Sequence, residues 1–175
     1  RRKTTLRWAT PALLVALLLV YVLGAMRAPA LRHGAELDWG VLSGGLDSLD
    51  AWQRALADGS VLRLVSALFL HTDWIHLLGN LVFLLIFGLP AERTMGGRRF
   101  LLLFLLGGAV AYLAAVLAIG APDLVVIGAS GAVSAVIGAY LALFPGARLG
   151  VVLPLGLFLE FVRVPALLLI GLWVR

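Results

Sequence analysis

The 175-residue chain has no cysteine, a single lysine and three histidines, and only 13% of its residues are charged. The absence of cysteine excludes both a disulfide framework and thiol chemistry. The scarcity of charge excludes an ordinary soluble domain, in which about 25% of residues are charged. Apolar residues make up 62% of the chain instead, and this excess predicts a membrane protein.

Long uncharged stretches recur and predict an all-α polytopic membrane protein with a single domain, residues 1–175. A helix rises about 1.5 Å per residue, so about 20 apolar residues cross a bilayer core of about 30 Å. The predicted spans are residues 8–26, 74–90, 100–121, 124–144 and 156–174, with a structured outer loop at residues 27–70. After Arg163 the last span holds only eleven uncharged residues, about half a bilayer, so we expect the fifth helix to be incomplete.

The loop of residues 27–70 mixes carboxylates with apolar and aromatic residues, among them Trp39 and Trp52. Tryptophan is enriched where a membrane protein meets the bilayer surface. We therefore expect a partly membrane-dipping loop with short helices, and not a flexible linker. One of these helices is predicted from Ser48, which would cap it, to Ala57.

Most of the formal net charge of +5 comes from arginines in short segments beside the spans. Basic residues cluster before the first span and between the second and third spans, whereas the connection after the third span has none. The positive-inside rule therefore predicts a cytoplasmic N-terminus. It places the loop after the first span and the connection after the third span outside. The arginines are interpreted as topology signals and contacts to membrane lipids, not as a nucleic-acid surface.

Polar residues enter two apolar stretches, each at the predicted outer end of its span. His76 and Asn80 are four residues apart, which puts them on one helix face. Ser130 lies in Gly128-Ala129-Ser130-Gly131-Ala132, where the flanking glycines allow close approach of a backbone. Taken singly, these residues are equally well explained by hydrogen bonds and close contacts between helices. Taken together, they could supply a hydroxyl nucleophile and donors for an oxyanion.

A stripe of small residues follows Ser130 along the fourth span. It consists of Gly131, Ala135, Gly138 and Ala142. Small residues at three- and four-residue spacing let membrane helices approach closely, so we expect this stripe to pack against another helix.

A zinc site made by His71, Asp73 and His76 is a weaker hypothesis. These side chains would need an irregular turn to converge, and no further ligand supports them. No metal or other cofactor is therefore expected.

An ordered set of motifs from Arg63 to Trp173 resembles the rhomboid intramembrane serine proteases of bacteria. It comprises His71-(x)4-His76-Leu-Leu-Gly-Asn80, then Phe87-Gly88 with Glu92, then Gly128-Ala129-Ser130-Gly131-Ala132. A lone Gly-x-Ser-Gly also occurs in soluble hydrolases, whereas this order of motifs is specific. The resemblance implies a rhomboid-like helical bundle with six spans, of which this chain would hold five, in a bacterial plasma membrane with the active site towards the outer face.

The same resemblance implies a role for each matching residue. Ser130 would be the nucleophile, and the oxyanion hole would be formed by His76, Asn80 and the Ser130 amide, with Gly128 at its floor. His71 would lie at the mouth of the site, and the structural residues would be Arg63, Glu92 and Gly131. The implied substrates are single-span transmembrane proteins, cut within the membrane.

Three departures from the family pattern stand out. In many members a tryptophan directly precedes the arginine that matches Arg63, and here that position is Leu62. In some members an aromatic residue occupies the position of Ser134. The family's general base is a histidine on the sixth span, and none of His33, His71 and His76 fits that position. We therefore expect the chain as given to stop within the fifth span, and to be inactive by itself because it lacks the base.

Three functions are consistent with these residues to different degrees. The first is a serine endopeptidase whose base lies on a further span. The second is a non-catalytic rhomboid-like protein that binds transmembrane helices. The third, a small transporter or channel, would need polar residues along a path to both faces, and it ranks last because the first and third spans are apolar.

Overall fold

A computed structural model describes residues 7–43, 46, 48–118, 124–155 and 158–165. The α-helices are α1 (Ala9–Ala25), α2 (Pro29–Trp39), α3 (Leu49–Ala57), α4 (Arg63–Ser66), α5 (Trp74–Phe83), α6 (Leu89–Met95), α7 (Gly97–Ala118) and α8 (Ser130–Leu143). The strands are β1 (Val41–Leu42), β2 (Val125–Val126), β3 (Arg148–Leu155) and β4 (Phe158–Pro165). Short 3-10 turns, Ser60–Leu62 and Ala67–Phe69, flank α4. The described fold is therefore mostly helical, as the composition predicts.

Within the described part of the chain, two continuous helices are long and apolar enough to cross a membrane, Trp74–Met95 and Gly97–Ala118, while α1 and α8 are shorter apolar helices. Large apolar side chains point outward from these helices, among them Leu18, Leu19, Leu78, Val82, Leu102 and Leu106. Outward-facing apolar surface of this kind suits a lipid environment and not water. The two long helices overlap the second and third predicted spans and are candidates for them, and the total of five stays a prediction.

The second span continues beyond Pro90, where it was predicted to end. Residues Leu84–Gly88 form a π-helical turn, and α6 follows with Pro90 in its first turn. Proline lacks an N–H and is tolerated in the first turn of a helical segment, so the change of helix type accommodates it. The helix ends instead at Gly96, whose φ of 86° is favourable for glycine.

The fourth span begins later than the predicted residue 124. Residues of β2 pair antiparallel with β1, Val126 opposite Val41 and Val125 opposite Leu42. The Ser43 N–H donates to the carbonyl of Leu124, 2.8 Å away, and the Ser43 hydroxyl accepts from the Leu124 N–H at 2.9 Å. The β-branched valines favour this extended pairing, which ties the loop of residues 27–70 to the segment before α8.

The prediction of a fifth helix over residues 156–174 is wrong for the residues of β4. This strand pairs antiparallel with β3, from Arg148 opposite Pro165 to Leu155 opposite Phe158. The segment contains β-branched Val162 and Val164, which favour strands over helices. The rest of the predicted span, residues 156–157 and 166–174, lies outside the described residues.

The predicted short helix in the outer loop is confirmed. The helix α3 covers Leu49–Ala57, and Ser48 precedes it in an extended conformation. The Ser48 hydroxyl accepts a hydrogen bond from the Ala51 N–H at 3.2 Å. This contact satisfies one of the N–H groups that the first turn of a helix leaves without an intrahelical partner.

Helices α7 and α8 pack through their smallest residues. A Cβ added to Gly131 would lie 2.6 Å from the Cβ of Ala111, and one added to Gly107 would lie 2.5 Å from the Cβ of Ala135. Real Cβ atoms do not approach so closely, so the glycines allow this helix contact. The small-residue stripe after Ser130 therefore packs as predicted at Gly131 and Ala135.

The second half of that stripe has no packing partner among the described residues. A Cβ at Gly138 would meet nothing within 4 Å, and both Gly138 and Ala142 are exposed. At about 100° per residue the four residues stay within about 60° of one another around α8, so both halves of the stripe lie on one face and the contact with α7 is lost further along the helix axis.

We expect Gly131→Ala to destabilise the protein by about 1–3 kcal/mol, because the added methyl group forces α7 and α8 apart. Thermal unfolding in detergent should show a lower midpoint for this variant. The matched control is Gly138→Ala, which adds the same methyl group into open space on the same helix. An equal midpoint for the two variants would contradict the close contact.

Glu92, in α6, contacts the N-terminal end of α1. Its carboxylate accepts hydrogen bonds from the backbone N–H groups of Trp8, Ala9 and Thr10 at 2.8, 2.8 and 2.9 Å. These N–H groups begin α1, where a helix supplies no acceptor and the helix dipole favours a negative charge. Glu92 is 1% exposed. It therefore caps α1 from a different helix and fixes α1 against α6.

Candidate functional site

The backbone just before α8 is held in a single conformation by its neighbours. The N–H of Gly128 donates to the carbonyl of Ala67 at 2.9 Å. The Tyr112 hydroxyl lies 2.6 Å from the Gly128 carbonyl and 3.1 Å from the Ala67 carbonyl, within hydrogen-bonding distance of both. Gly128 has a φ of 117°, which residues with a side chain rarely adopt. The position therefore needs glycine for its backbone conformation.

Ser130 is the first residue of α8 and is exposed. Because α8 begins there, its N–H is one of those for which the helix itself provides no acceptor. The hydroxyl and this N–H thus lie together at a helix N-terminus, where partial positive charge favours an anion. This arrangement suits a nucleophile beside an oxyanion donor.

His71 lies directly against the segment before Ser130. Its ring is 6% exposed, and its Nε2 accepts a hydrogen bond from the Ala129 N–H at 3.3 Å. Burial lowers the pKa of His71, and a hydrogen bond with the backbone of Phe69 opposes this only in part. Since the backbone N–H must be the donor, Nε2 is unprotonated and the ring is neutral with its proton on Nδ1. His71 was expected at the mouth of the site, and in the structure its ring is buried against the Ala129 N–H.

Asn80 shares the same acceptor. Its Nδ2 is 3.0 Å from Nε2 of His71, and its side chain is buried in α5. Because Ala129 already makes Nε2 an acceptor, the Asn80 group facing it must be the NH2 and not the carbonyl oxygen. The NH2 group has a second N–H, for which no acceptor is found among the described residues.

His76 makes a different contact from the one expected. Its ring is exposed, and its Nδ1 is 2.6 Å from Oδ2 of Asp73. The other carboxylate oxygen of Asp73 accepts from the His76 N–H at 2.9 Å and caps α5. This backbone bond is the main cause that lowers the pKa of Asp73. With Nδ1–H directed at a carboxylate, Nε2 can donate to an oxyanion only when the imidazole is positively charged.

The predicted site residues therefore do not all come together. The structure brings together His71, Asn80 and the backbone from Gly128 to Ser130, whereas His76 pairs with Asp73. Arg63 lies in α4 and donates to the carbonyl of Leu37 at 3.4 Å, which links α4 to α2. The remaining two are structural in position, Gly131 at the α7–α8 contact and Glu92 at the far end of α1.

The stability of the protein should fall as the pH is lowered through about 6.5, the ordinary histidine pKa. The folded state lowers the pKa of His71, so the unfolded chain binds its proton first and acid favours unfolding. We expect the thermal midpoint to drop between pH 8 and pH 5, and the drop to be smaller for His71→Gln. His33→Gln removes an exposed histidine and serves as the control. Identical pH profiles for the wild type and His71→Gln would contradict a neutral, buried His71.

A sequence model of the rhomboid domain matches residues 58–174, which is more than half of the chain and includes every element of the site. The chain belongs to the rhomboid family. The family is membrane-embedded, in agreement with the apolar helices of this member.

Two curated relatives share this rhomboid domain in part. YdcA, a candidate rhomboid protease of Bacillus subtilis, is 32% identical over 99 residues, which cover 54% of this chain and 47% of that protein. RHOMBOID-like protein 5 of Arabidopsis thaliana is 33% identical over 98 residues, covering 55% of this chain and 32% of that protein. The matches therefore span about half of the first relative and about a third of the second.

Several contacts of this rhomboid site were not predicted from its sequence. They involve Tyr112, Ala67 and Asp73. Asp73 could have been recognised, since an aspartate directly before an apolar helical run is a common N-terminal cap. Tyr112 had a weaker signal, a lone hydroxyl in an apolar helix, which usually finds a partner when it is buried. Nothing marked Ala67, because its contribution is a backbone carbonyl.

The described part of the chain contains no group of three histidine, cysteine, aspartate or glutamate side chains that could hold a metal ion. The hypothetical zinc ligands point in different directions. His71 contacts Asn80 and Ala129, while Asp73 and His76 pair with each other. These contacts do not direct the three side chains towards a common point.

Proposed function

We propose that this rhomboid protein is an intramembrane serine endopeptidase that cuts transmembrane segments with Ser130 as the nucleophile. One observation carries the proposal. The only exposed polar residue at the start of α8 among the described residues is a serine, and the backbone before it is held by Ala67, His71 and Tyr112. A serine that only fills space between helices does not need its preceding backbone to be held in this way, whereas a nucleophile needs a fixed position.

The reaction would begin with attack of the Ser130 oxygen on a peptide carbonyl carbon. The serine proton passes to a general base, and the carbonyl oxygen becomes an oxyanion. The Ser130 N–H and the second N–H of Asn80 are suitable donors for it, and positively charged His76 would be a third. Breaking the C–N bond releases the amine with the base's proton and leaves an ester on Ser130. Water then hydrolyses this ester and restores the hydroxyl.

The general base would be a histidine outside these 175 residues, on the sixth span that the family resemblance implies. His71 is unsuited to this role because its Nε2 already accepts from Ala129 and Asn80. Protonation of Nε2 would break both contacts and release the segment before Ser130. His71 is instead a positioning residue for Asn80 and for this segment.

The proposed substrates are single-span membrane proteins. A peptide bond in a transmembrane helix is shielded by hydrogen bonds within that helix, so the segment must unwind locally before Ser130 can reach it. The proposed location is a bacterial plasma membrane, with the N-terminus in the cytoplasm and Ser130 near the outer face. The arginine distribution supports this orientation.

A fluorophosphonate probe tests the proposal on the full-length protein in detergent. We expect covalent labelling at Ser130, because the base and the oxyanion donors activate its hydroxyl. Ser134 is exposed one turn further along α8, so Ser134→Ala is the matched control and should label normally. Mass spectrometry of the labelled peptide locates the adduct.

The second candidate function is a non-catalytic rhomboid-like protein that binds transmembrane helices. The contact between His76 and Asp73 favours this second function, because a neutral His76 that donates to Asp73 cannot also donate to an oxyanion. It predicts that Ser130 stays unlabelled while the protein remains folded. The two functions are therefore separated by the same experiment.

A further inference from the structure

A cavity of about 440 Å³ lies beside the site, between the end of α1, helix α2 and the segment that leads to α5. Its size is within the range of about 300–1,000 Å³ that is usual for small-molecule sites. The apolar part of its wall is formed by Val20, Leu23, Trp39, Phe69 and Leu70. This wall suits a hydrocarbon chain.

Two opposite charges line the same cavity. Arg27 follows the C-terminal end of α1 and is exposed, and Glu36 reaches the cavity from α2. Glu36 lies 3.7 Å from Nδ1 of the exposed His33, whereas no ion pair of Arg27 is found among the residues that the structure describes. Tyr21 and Trp39 also line the cavity, and such aromatic residues are typical of the depth at which lipid head groups begin. The cavity thus combines an apolar interior with a cation and an anion.

We propose that this cavity binds a phospholipid with a zwitterionic amine head group. One acyl chain would occupy the apolar part, the phosphate would contact Arg27 and the ammonium group would contact Glu36. An anionic phospholipid fits less well, because its head group has no positive charge to offer Glu36. A substrate peptide is disfavoured because Ser130 is not among the described residues that line the cavity.

The bound lipid would stabilise the catalytic segment as well as the loop. His71 lines the cavity and accepts from the Ala129 N–H with its Nε2. Ser66 also lines the cavity, and its hydroxyl donates to the carbonyl of Trp39 at 2.8 Å. A chain in the cavity therefore contacts residues that position both α2 and the backbone before Ser130. This inference does not depend on whether Ser130 is catalytic.

Gly24 offers a way to close the cavity without disturbing its wall. Gly24 lines the cavity, and a Cβ added there would meet nothing within 4 Å. Gly24→Leu should therefore fill the space that the acyl chain needs. Gly138→Leu adds the same side chain to an exposed face of α8 and is the matched control.

The test uses full-length protein in maltoside detergent micelles that contain a small amount of phosphatidylethanolamine with a photoactivatable acyl chain. After irradiation, we expect adducts concentrated on the peptides that contain Val20–Arg27 and Phe69–His71. Gly24→Leu and Arg27→Gln should each reduce these adducts at least about fivefold, the factor that corresponds to losing about 1 kcal/mol of binding. Gly138→Leu should leave them unchanged.

Competition with unlabelled lipid tests the head group. Added phosphatidylethanolamine should displace the probe from these peptides more effectively than phosphatidylglycerol does. Stronger displacement by phosphatidylglycerol would overturn the assignment to a zwitterionic lipid. Adducts spread evenly over the lipid-facing helices, or adducts that persist in folded Gly24→Leu, would overturn the site itself. Circular dichroism of each variant establishes that it is folded. If Gly24→Leu does not fold, Arg27→Gln still tests the site, because it changes an exposed residue.

Discussion

Substituting Ser130 with alanine should abolish cleavage of a model transmembrane substrate by the full-length protein. Removing the serine of a soluble serine protease lowers kcat by about 10⁶-fold, because no other group forms the covalent intermediate. A loss of this size lies below the detection limit of a gel-based assay in vesicles. The same variant should keep its thermal midpoint, since Ser130 is exposed and fills no space in the core.

The control for this loss is Ser134→Ala, which removes an exposed hydroxyl from the same helix and should cleave at the wild-type rate. Undiminished cleavage by Ser130→Ala would remove Ser130 from the mechanism. A loss of cleavage accompanied by a large drop in thermal midpoint would indicate a structural role. The comparison therefore distinguishes chemistry from folding.

Substituting Glu92 with alanine should cause the largest loss of stability among the predicted variants, about 3 kcal/mol or more. The carboxylate accepts three backbone N–H groups at the start of α1, and hydrogen bonds to a charged group contribute about 1.5–3 kcal/mol each. In the variant these N–H groups stay buried without an acceptor. A loss of this size corresponds to a fall of about 10 °C in the thermal midpoint.

Two variants test the reason for this loss. Glu92→Gln keeps the shape of the side chain and one acceptor oxygen, but replaces the other oxygen by an NH2 group that faces N–H donors, so it should be intermediate. Arg93→Ala changes the neighbouring exposed residue and should have little effect. If Glu92→Ala unfolds at the wild-type midpoint, the carboxylate does not hold α1.

The main chemical features of this protein could be predicted from its sequence. The first uncharged stretch predicted a helix over residues 8–26, and α1 covers this stretch to within a residue at each end. The Ser48 cap was predictable because capping is a local interaction between residues three apart. The order of the motifs from His71 to Ala132 predicted the rhomboid family, and the family match confirms it.

Predictions from local patterns failed at Pro90 and at the segment that pairs with a distant strand. Pro90 suggests a helix end, but the π-helical turn before it lets the helix continue to Met95. Residues 124–129 are as apolar as a helix requires, yet Val125 and Val126 pair with a strand some eighty residues earlier in the chain. No local pattern identifies such a partner, because the pairing depends on where the loop after α1 folds.

By itself, the sequence determined the class of the protein, the family and the residues available for chemistry, because hydrophobicity, charge and motif order are properties of the chain. Only the tertiary structure decided what each polar residue does. His71 and His76 lie only five residues apart in the chain. Nevertheless, His71 is buried as a neutral acceptor for Asn80 and Ala129, while His76 is exposed beside Asp73. A histidine's protonation and hydrogen bonds depend on burial and on its neighbours, and these are set when the helices and the outer loop pack together.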